Sequence, residues 1–219
     1  IGDLALQMLS RLFEKRFDVD KGLAHGETGD GRSLYGLLSD HILVGQALLE
    51  AFSVTGRSQF LQNAEVLAEV SQRLLQDSAN GGFFDHPQMP GKLGLLNLPT
   101  KPVQENLQAA LWYLQLFHLT GKPTYRSIAE NALQAMVTSR QPLPLALSGL
   151  AIDQWFRIPI HIAVVGPVGD ARTKDLLLEG RRMFCPGKIV KGFDPKEGQP
   201  KWGDIIFPYD ERPVAFVCT

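Results

Sequence analysis

The stretch Ile42-Leu-Val-Gly-Gln-Ala-Leu-Leu-Glu-Ala-Phe-Ser-Val-Thr-Gly56 is echoed by Leu107-Gln-Ala-Ala-Leu-Trp-Tyr-Leu-Gln-Leu-Phe-His-Leu-Thr-Gly121. The offset of 65 residues sets Leu49 against Leu114, Phe52 against Phe117 and Thr55 against Thr120. It runs on past the glycines, pairing Phe60 with Tyr125, Ala64 with Ala129 and Glu65 with Glu130. Self-similarity at a fixed period marks a repeated supersecondary unit. Gly56 and Gly121 stand just past a helical run, where a left-handed residue closes the helix and glycine is least strained. Ser58 and Thr124 follow at positions suited to capping a second helix. Each copy therefore predicts a helical hairpin, over 40–78 and 103–139.

The two helices of a hairpin differ in kind. The first is apolar nearly all round, whereas 60–76 and 125–139 mix polar and apolar residues more evenly. A helix apolar on every side is buried on several sides, and an amphipathic one turns its back to solvent. The contrast predicts inner and outer layers, as in a partial α/α toroid whose inner helices surround a funnel. A looser echo precedes each hairpin. Arg11-Leu12 leads to Phe17-Asp18 and Lys21-Gly22-Leu23, and Arg73-Leu74 leads to Gly81-Gly-Phe-Phe-Asp85. Two long loops, 17–38 and 80–102, are expected on one side of the layer, roofing the funnel, and loops of that length tend to carry function.

After Gln141 the pattern changes. Pro142 and Pro144 interrupt the helical run, and 148–156 fits one further helix. His161-Ile-Ala-Val-Val165 reads as a buried strand, followed by Gly166-Pro-Val-Gly-Asp170 and a helix to about residue 184. Residues 188–191 and 214–217 are further strand candidates. The division expected is a helical part over 1–157 and a small α/β element over 158–219.

Composition excludes several classes. The 219 residues carry 22 Lys+Arg against 23 Asp+Glu, a net charge of −1. Nucleic acids and anionic membranes call for a basic face, so neither is expected as a partner. No apolar run reaches the roughly 20 residues that span a bilayer. Cys185 and Cys218 form no CxxC pair and no disulfide framework, which points to a reducing, cytoplasmic compartment. No HExxH or other metal-ligand spacing occurs, so neither a metal nor another cofactor is expected. Gly166-Pro-Val-Gly169 lacks the full phosphate-cradling pattern and reads as a plain turn. The opening Ile1-Gly2-Asp3 has neither an initiator Met nor a leader pattern, and reads as the inside of a longer protein.

Four stretches carry a family resemblance: Gly81-Gly-Phe-Phe-Asp85, the Leu119-Thr-Gly-Lys-Pro-Thr-Tyr125 turn, Ile162-Ala-Val-Val-Gly166 and Pro213-Val-Ala-Phe-Val-Cys218. In that order they resemble the C-terminal part of the spermatogenesis-associated protein 20-like (bacterial YyaL-type) thioredoxin-domain proteins. The resemblance implies an N-terminal thioredoxin-like domain as a partner within the full-length protein. It also implies a toroid similar to six-hairpin glycosidases and N-acylglucosamine 2-epimerases.

The repeat sets Asp40-His41 against Glu105-Asn106, each pair at the start of an inner helix, with Asp85 in the loop between. Glycoside hydrolysis needs two carboxylates across the sugar. Epimerisation needs a base such as His or Glu near neutrality. Asp40, His41, Asp85 and Glu105 are therefore the catalytic candidates, with Asn106, Trp112 and Tyr113 as sugar-binding ones. All but Asn106 have a plainer reading: Asp40 as a helix cap, His41 as a surface or satisfied core histidine, Glu105 as a macrodipole partner, Asp85 as a turn brace, the aromatics as core. A carbohydrate-binding or carbohydrate-processing funnel is the leading expectation. The alternative is a non-catalytic scaffold that docks a thioredoxin-like domain or another protein. A partial toroid also leaves apolar flanks open, so self-association is expected.

Overall fold

The computed structural model describes residues 2–27, 33–88, 98–139 and 141–218. Among these the chain is mainly helical, with seven helices and short strands in small sheets. The two hairpins fall where the repeat puts them. They are α2 (Leu38–Thr55) with α3 (Ser58–Leu75), and α4 (Val103–Thr120) with α5 (Pro123–Val137). Helix α1 (Gly2–Arg16) precedes them and α6 (Leu145–Phe156) follows, starting three residues earlier than expected because Pro144 suits the position before the first turn. Helices α2, α4 and α6 lie side by side, α3 packs on α2, and α5 on α4.

The turns of the repeat match down to their side chains. Gly56 and Gly121 adopt φ 68° and 74°, and their N–H groups donate to Phe52 O and Phe117 O at 2.8 and 2.7 Å. Ser58 and Thr124 are not the caps. The chain enters α3 and α5 extended at Arg57 and Lys122, whose N–H groups go back to the hydroxyls of Thr55 and Thr120 at 3.2 Å. Those hydroxyls donate in turn to Ala51 O and Leu116 O. The threonine that ends one helix thus orients the start of the next. Leu49, Phe52 and Leu114 are buried in the main core, and Phe117 packs against it half-buried.

Segment 17–38 is more than a loop. It forms an antiparallel sheet of β1 (Phe17–Asp18), β2 (Gly22–Glu27) and β3 (Ser33–Tyr35), with Phe17 opposite Leu23 and Ala24 opposite Tyr35. The second loop keeps one bridge of this kind, Gln76 opposite Phe83. Part of it, 89–97, lies outside the described residues. Both segments meet the N-terminal turns of the inner helices: Leu23 N–H bonds to His41 of α2 and Phe83 N–H to Asn106 of α4.

The C-terminal element is built on β4 (His161–Val165), which pairs parallel with β5 (Ile189–Phe193) across α7 (Ala171–Arg182) and antiparallel with β8 (Val214–Cys218). Alternate side chains of β4 serve two small cores. Ile162 and Val164 pack with Leu177 and Val190; Ala163 and Val165 pack with Trp202 and Phe207 beside the short hairpin β6 (Lys201–Trp202) and β7 (Ile205–Ile206). The 166–170 turn is a connection. The Val168 N–H is taken by Asp194, and Asp170 caps α7 through Thr173 N–H.

This element sits on the C-terminal ends of α2 and α4. Lys191 Nζ donates to Leu119 O at 2.8 Å and Trp202 Nε1 to His118 O at 2.9 Å. Both acceptors are carbonyls at a helix end, which have no partner within the helix, and a cation there also meets the negative end of the macrodipole. A Cβ on Gly192 would lie 2.8 Å from the Cα of Gly56, so the β5 backbone rests directly on the turn between α2 and α3.

Candidate functional site

Three of the four expected catalytic residues, Asp40, His41 and Asp85, have partners of their own. Asp40 lies in the first turn of α2, and Leu37, not Asp40, is the helix cap. The Leu38 N–H is satisfied by Asp85 O at 2.9 Å. That frees the Asp40 carboxylate to pair with His25 Nδ1 on β2 at 2.9 Å. Asp85 accepts from the N–H and the hydroxyl of Thr100 at 2.8 and 2.7 Å, which braces its loop. Glu105, half-buried in the first turn of α4, has no hydrogen bond or ion pair among the described residues.

His41 is fully buried. Its Nε2 accepts the Leu23 N–H at 3.0 Å, and its Nδ1 lies 2.9 Å from Ser71 Oγ, whose own hydrogen goes to Leu67 O. A neutral imidazole offers one donor and one acceptor, and both are used. Burial pushes its pKa down to about 4, so the ring is uncharged at neutral pH. A Cβ at Gly22 would come within 2.4 Å of Nε2, and only glycine lets the strand approach so closely. His41 joins β2, α2 and α3.

Asn106, 65 residues on, does the same work with other atoms. It is also fully buried; Oδ1 accepts the Phe83 N–H at 2.6 Å, and Nδ2 donates to Phe83 O and Pro102 O, each at 2.9 Å. Trp112 and Tyr113 are core residues. Tyr113 stacks on Phe83 and donates to Ala68 O, and burial raises its pKa well above the usual value. Trp112 fills the space beside Gly45, where a Cβ would lie 2.2 Å from the indole.

The inner helices do present one shared polar face. Gln46 and Glu50 of α2, Gln115 and His118 of α4, and Gln154 of α6 line a cleft of about 320 Å³, with Leu111 and Leu150 on its apolar side. Its far wall comes from the C-terminal element, through Arg181, Gly187 and Lys188, and from Arg157 just past α6. None of Asp40, His41, Asp85 and Glu105 lines it.

Two of the three cations lining the cleft have a carboxylate partner, and Lys188 has none among the described residues. Arg181 bridges to Glu50, Arg157 to Asp153 at 2.6 Å, and Lys188 Nζ donates to the carbonyls of Arg181 and Met183. Desolvation, with smaller effects of His161 and Arg126, holds the His118 pKa down to about 4, so that imidazole is neutral too. The side-chain amides of Gln46, Gln115 and Gln154 have no hydrogen bond among the described residues.

The sequence carried a signal for this face. In helices otherwise apolar, Gln46, Glu50 and Ser53 fall at i, i+4 and i+7, and their repeat counterparts Leu111, Gln115 and His118 fall at the same spacing. Positions so spaced share one side of a helix. Gln46, Glu50, Gln115 and His118 mark the exposed side, while Ser53 on the same stripe is buried with its hydroxyl on Glu50 O, and His41 and Asn106 in the first turns belong to loop packing.

Among the described residues no group of three His, Cys, Asp or Glu is placed to hold a metal ion, and no helix is long and apolar enough to cross a membrane. Cys185 and Cys218 are free thiols. No family model matches the chain, and no curated protein sequence matches it.

Proposed function

We propose that this chain is a partial α/α toroid that binds carbohydrate in the cleft formed by α2, α4, α6 and the C-terminal element. The observation that carries the reading is the set of three unengaged amides, Gln46, Gln115 and Gln154, facing one cleft from three neighbouring helices. Each amide offers donors and an acceptor together, and a sugar hydroxyl needs both. Leu111 and Leu150 supply an apolar face for the ring, in keeping with pockets that combine apolar walls with a few placed polar groups.

Binding fits better than hydrolysis. The paired-acid chemistry needs one protonated and one ionised carboxyl group. Among the described residues the cleft is lined by one carboxylate, Glu50, already bridged to Arg181. His118 holds its proton too weakly to serve as a base near neutrality. The family resemblance and an N-terminal thioredoxin-like domain are part of the same proposal.

Titration calorimetry with a panel of neutral mono- and oligosaccharides tests it. Binding is expected for wild type, Asp40→Asn and Glu105→Gln, and is lost in Gln115→Leu and Gln154→Leu. Absence of binding across the panel, or binding indifferent to both leucine variants, removes the cleft reading. The scaffold reading rests on a separate observation, an apolar groove between α5 and α6.

A further inference from the structure

The cleft has two unlike walls. One carries the amides of Gln46, Gln115 and Gln154, and the other carries three cations, Arg157, Arg181 and Lys188. The cations come from three places in the chain: the residue after α6, the last turn of α7 and the turn before β5. Gly187 helps to bring them together. It adopts φ 74°, and a Cβ there would lie 2.3 Å from Arg157 Cδ, so the turn that presents Lys188 rests on the Arg157 stem.

Like charges gathered at one wall call for compensation. Arg157 donates from Nε and Nη2 to the two carboxylate oxygens of Asp153. Arg181 donates from Nη2 to Glu50, and its other N–H groups have no hydrogen-bond partner among the described residues. Lys188 gives two of its three hydrogens to Arg181 O and Met183 O, at the C-terminal end of α7. The third hydrogen has no partner among the described residues. Three cations thus meet two carboxylates, which leaves one positive charge at the wall. Desolvation and then the neighbouring Arg181 lower the Lys188 pKa, with an opposing effect of Cys185. A cation disfavoured in this way is stabilised by an anion placed beside it.

We propose that the sugar taken by this cleft is an acidic one, its hydroxyls on the amide wall and its carboxylate on Lys188 and the remaining N–H groups of Arg181. The inference rests on the sugar-binding reading and names the substrate class of that same site. One excess charge matches a carboxylate better than a phosphate, which carries about 1.5–2 negative charges at pH 7.

Titration calorimetry on the full chain with glucose, glucuronate, glucose 6-phosphate and acetate is the test. At low salt glucuronate is expected to bind about tenfold more tightly than glucose, through charge-assisted hydrogen bonds, and the preference should shrink as salt is added. Lys188→Gln should bring the ratio of the two affinities close to one, and Lys188→Arg, which keeps the charge, should retain the preference. Lys201→Gln removes an exposed cation outside the cleft and should leave the ratio unchanged. Glucose bound as tightly as glucuronate, with both lost in Gln115→Leu, overturns this inference and leaves the sugar cleft standing. Acetate bound as tightly as glucuronate overturns it too, because the wall would then hold a carboxylate without a sugar. Tighter binding of glucose 6-phosphate than of glucuronate would assign the wall to phosphate and overturn it likewise. Binding of none of the four removes the sugar reading, and this inference with it.

Discussion

The first hairpin, with its sheet, and the second, with its loop, solve one problem with different residues. In each, a segment beginning at a positive-φ glycine, Gly22 or Gly82, runs in beside an outer helix and buries a large apolar residue, Leu23 or Phe83. A buried polar residue on the inner helix then takes the main-chain N–H of that residue. In the first hairpin it is His41, a group that titrates. In the second it is Asn106, which does not. Lower in the same helices the order reverses, with Ser53 in α2 opposite His118 in α4. A buried N–H needs an acceptor at about 3 Å, and the fold is indifferent to which chemistry supplies it. The consequence lies in how each hairpin responds to acid.

The largest expected difference between the hairpins is in their cores. Phe52 is 2% exposed, so Phe52→Ala should cost about 3–5 kcal/mol. Phe117 is half-buried beneath Arg126, and Phe117→Ala should cost about half as much. Urea denaturation checks both, and equal costs would break the asymmetry between the repeats.

Next comes the polar clamp. Asn106→Leu leaves the Phe83 N–H and C=O buried without this partner and should destabilise by about 2–4 kcal/mol. His41→Gln keeps an acceptor near the Leu23 N–H and should cost less. Thermal melts at neutral pH rank the two, and the reverse order would mean that the imidazole does more than accept one bond.

The most gradual effect appears with pH. The folded-state pKa of His41 is lowered from 6.5 to about 4, so the unfolded chain binds the proton first as pH falls. The stability it contributes is complete above about pH 6.5 and is lost progressively down to about pH 4, up to roughly 3 kcal/mol. His118, held down to about 4 chiefly by desolvation, acts with the same sign in the second hairpin. Urea midpoints across this window should fall with pH in wild type, less steeply in His41→Gln and in His118→Gln. A slope unchanged by either variant would assign the acid response to other groups.

Much of the fold is legible because the repeat is local. The Thr-Gly ends, the apolar inner runs and the amphipathic outer ones are all set by residues within a few turns of one another. The β1–β3 sheet was not, since Leu23 is held by His41, eighteen residues away. The caps differed for a similar reason: Leu37 and Pro102 precede the inner helices without a capping side chain, and the Asp85 carbonyl reaches Leu38 from another loop. Asp40 and Glu105 do fall at matching places in their helices, but pairing with His25 draws Asp40 toward β2, while Glu105 has no partner among the described residues. The polar stripe Gln46–Glu50 and Gln115–His118 was visible as spacing alone. Its meaning waited for α6 and the C-terminal element to supply the other walls.

By itself the sequence determined the helical hairpins, their glycine closures, the buried character of α2 and α4, and the strand at 161–165, because each follows from periodicity and backbone preference along a continuous stretch. Only the tertiary structure decided that His41 is a buried, neutral link, that Trp112 lies against Gly45, and that Lys191 and Trp202 complete the end of α4. It alone decided which polar residues share a cleft. Those outcomes depend on pairs of groups far apart in the chain, whose approach is set by packing of whole elements, and no local pattern encodes that distance.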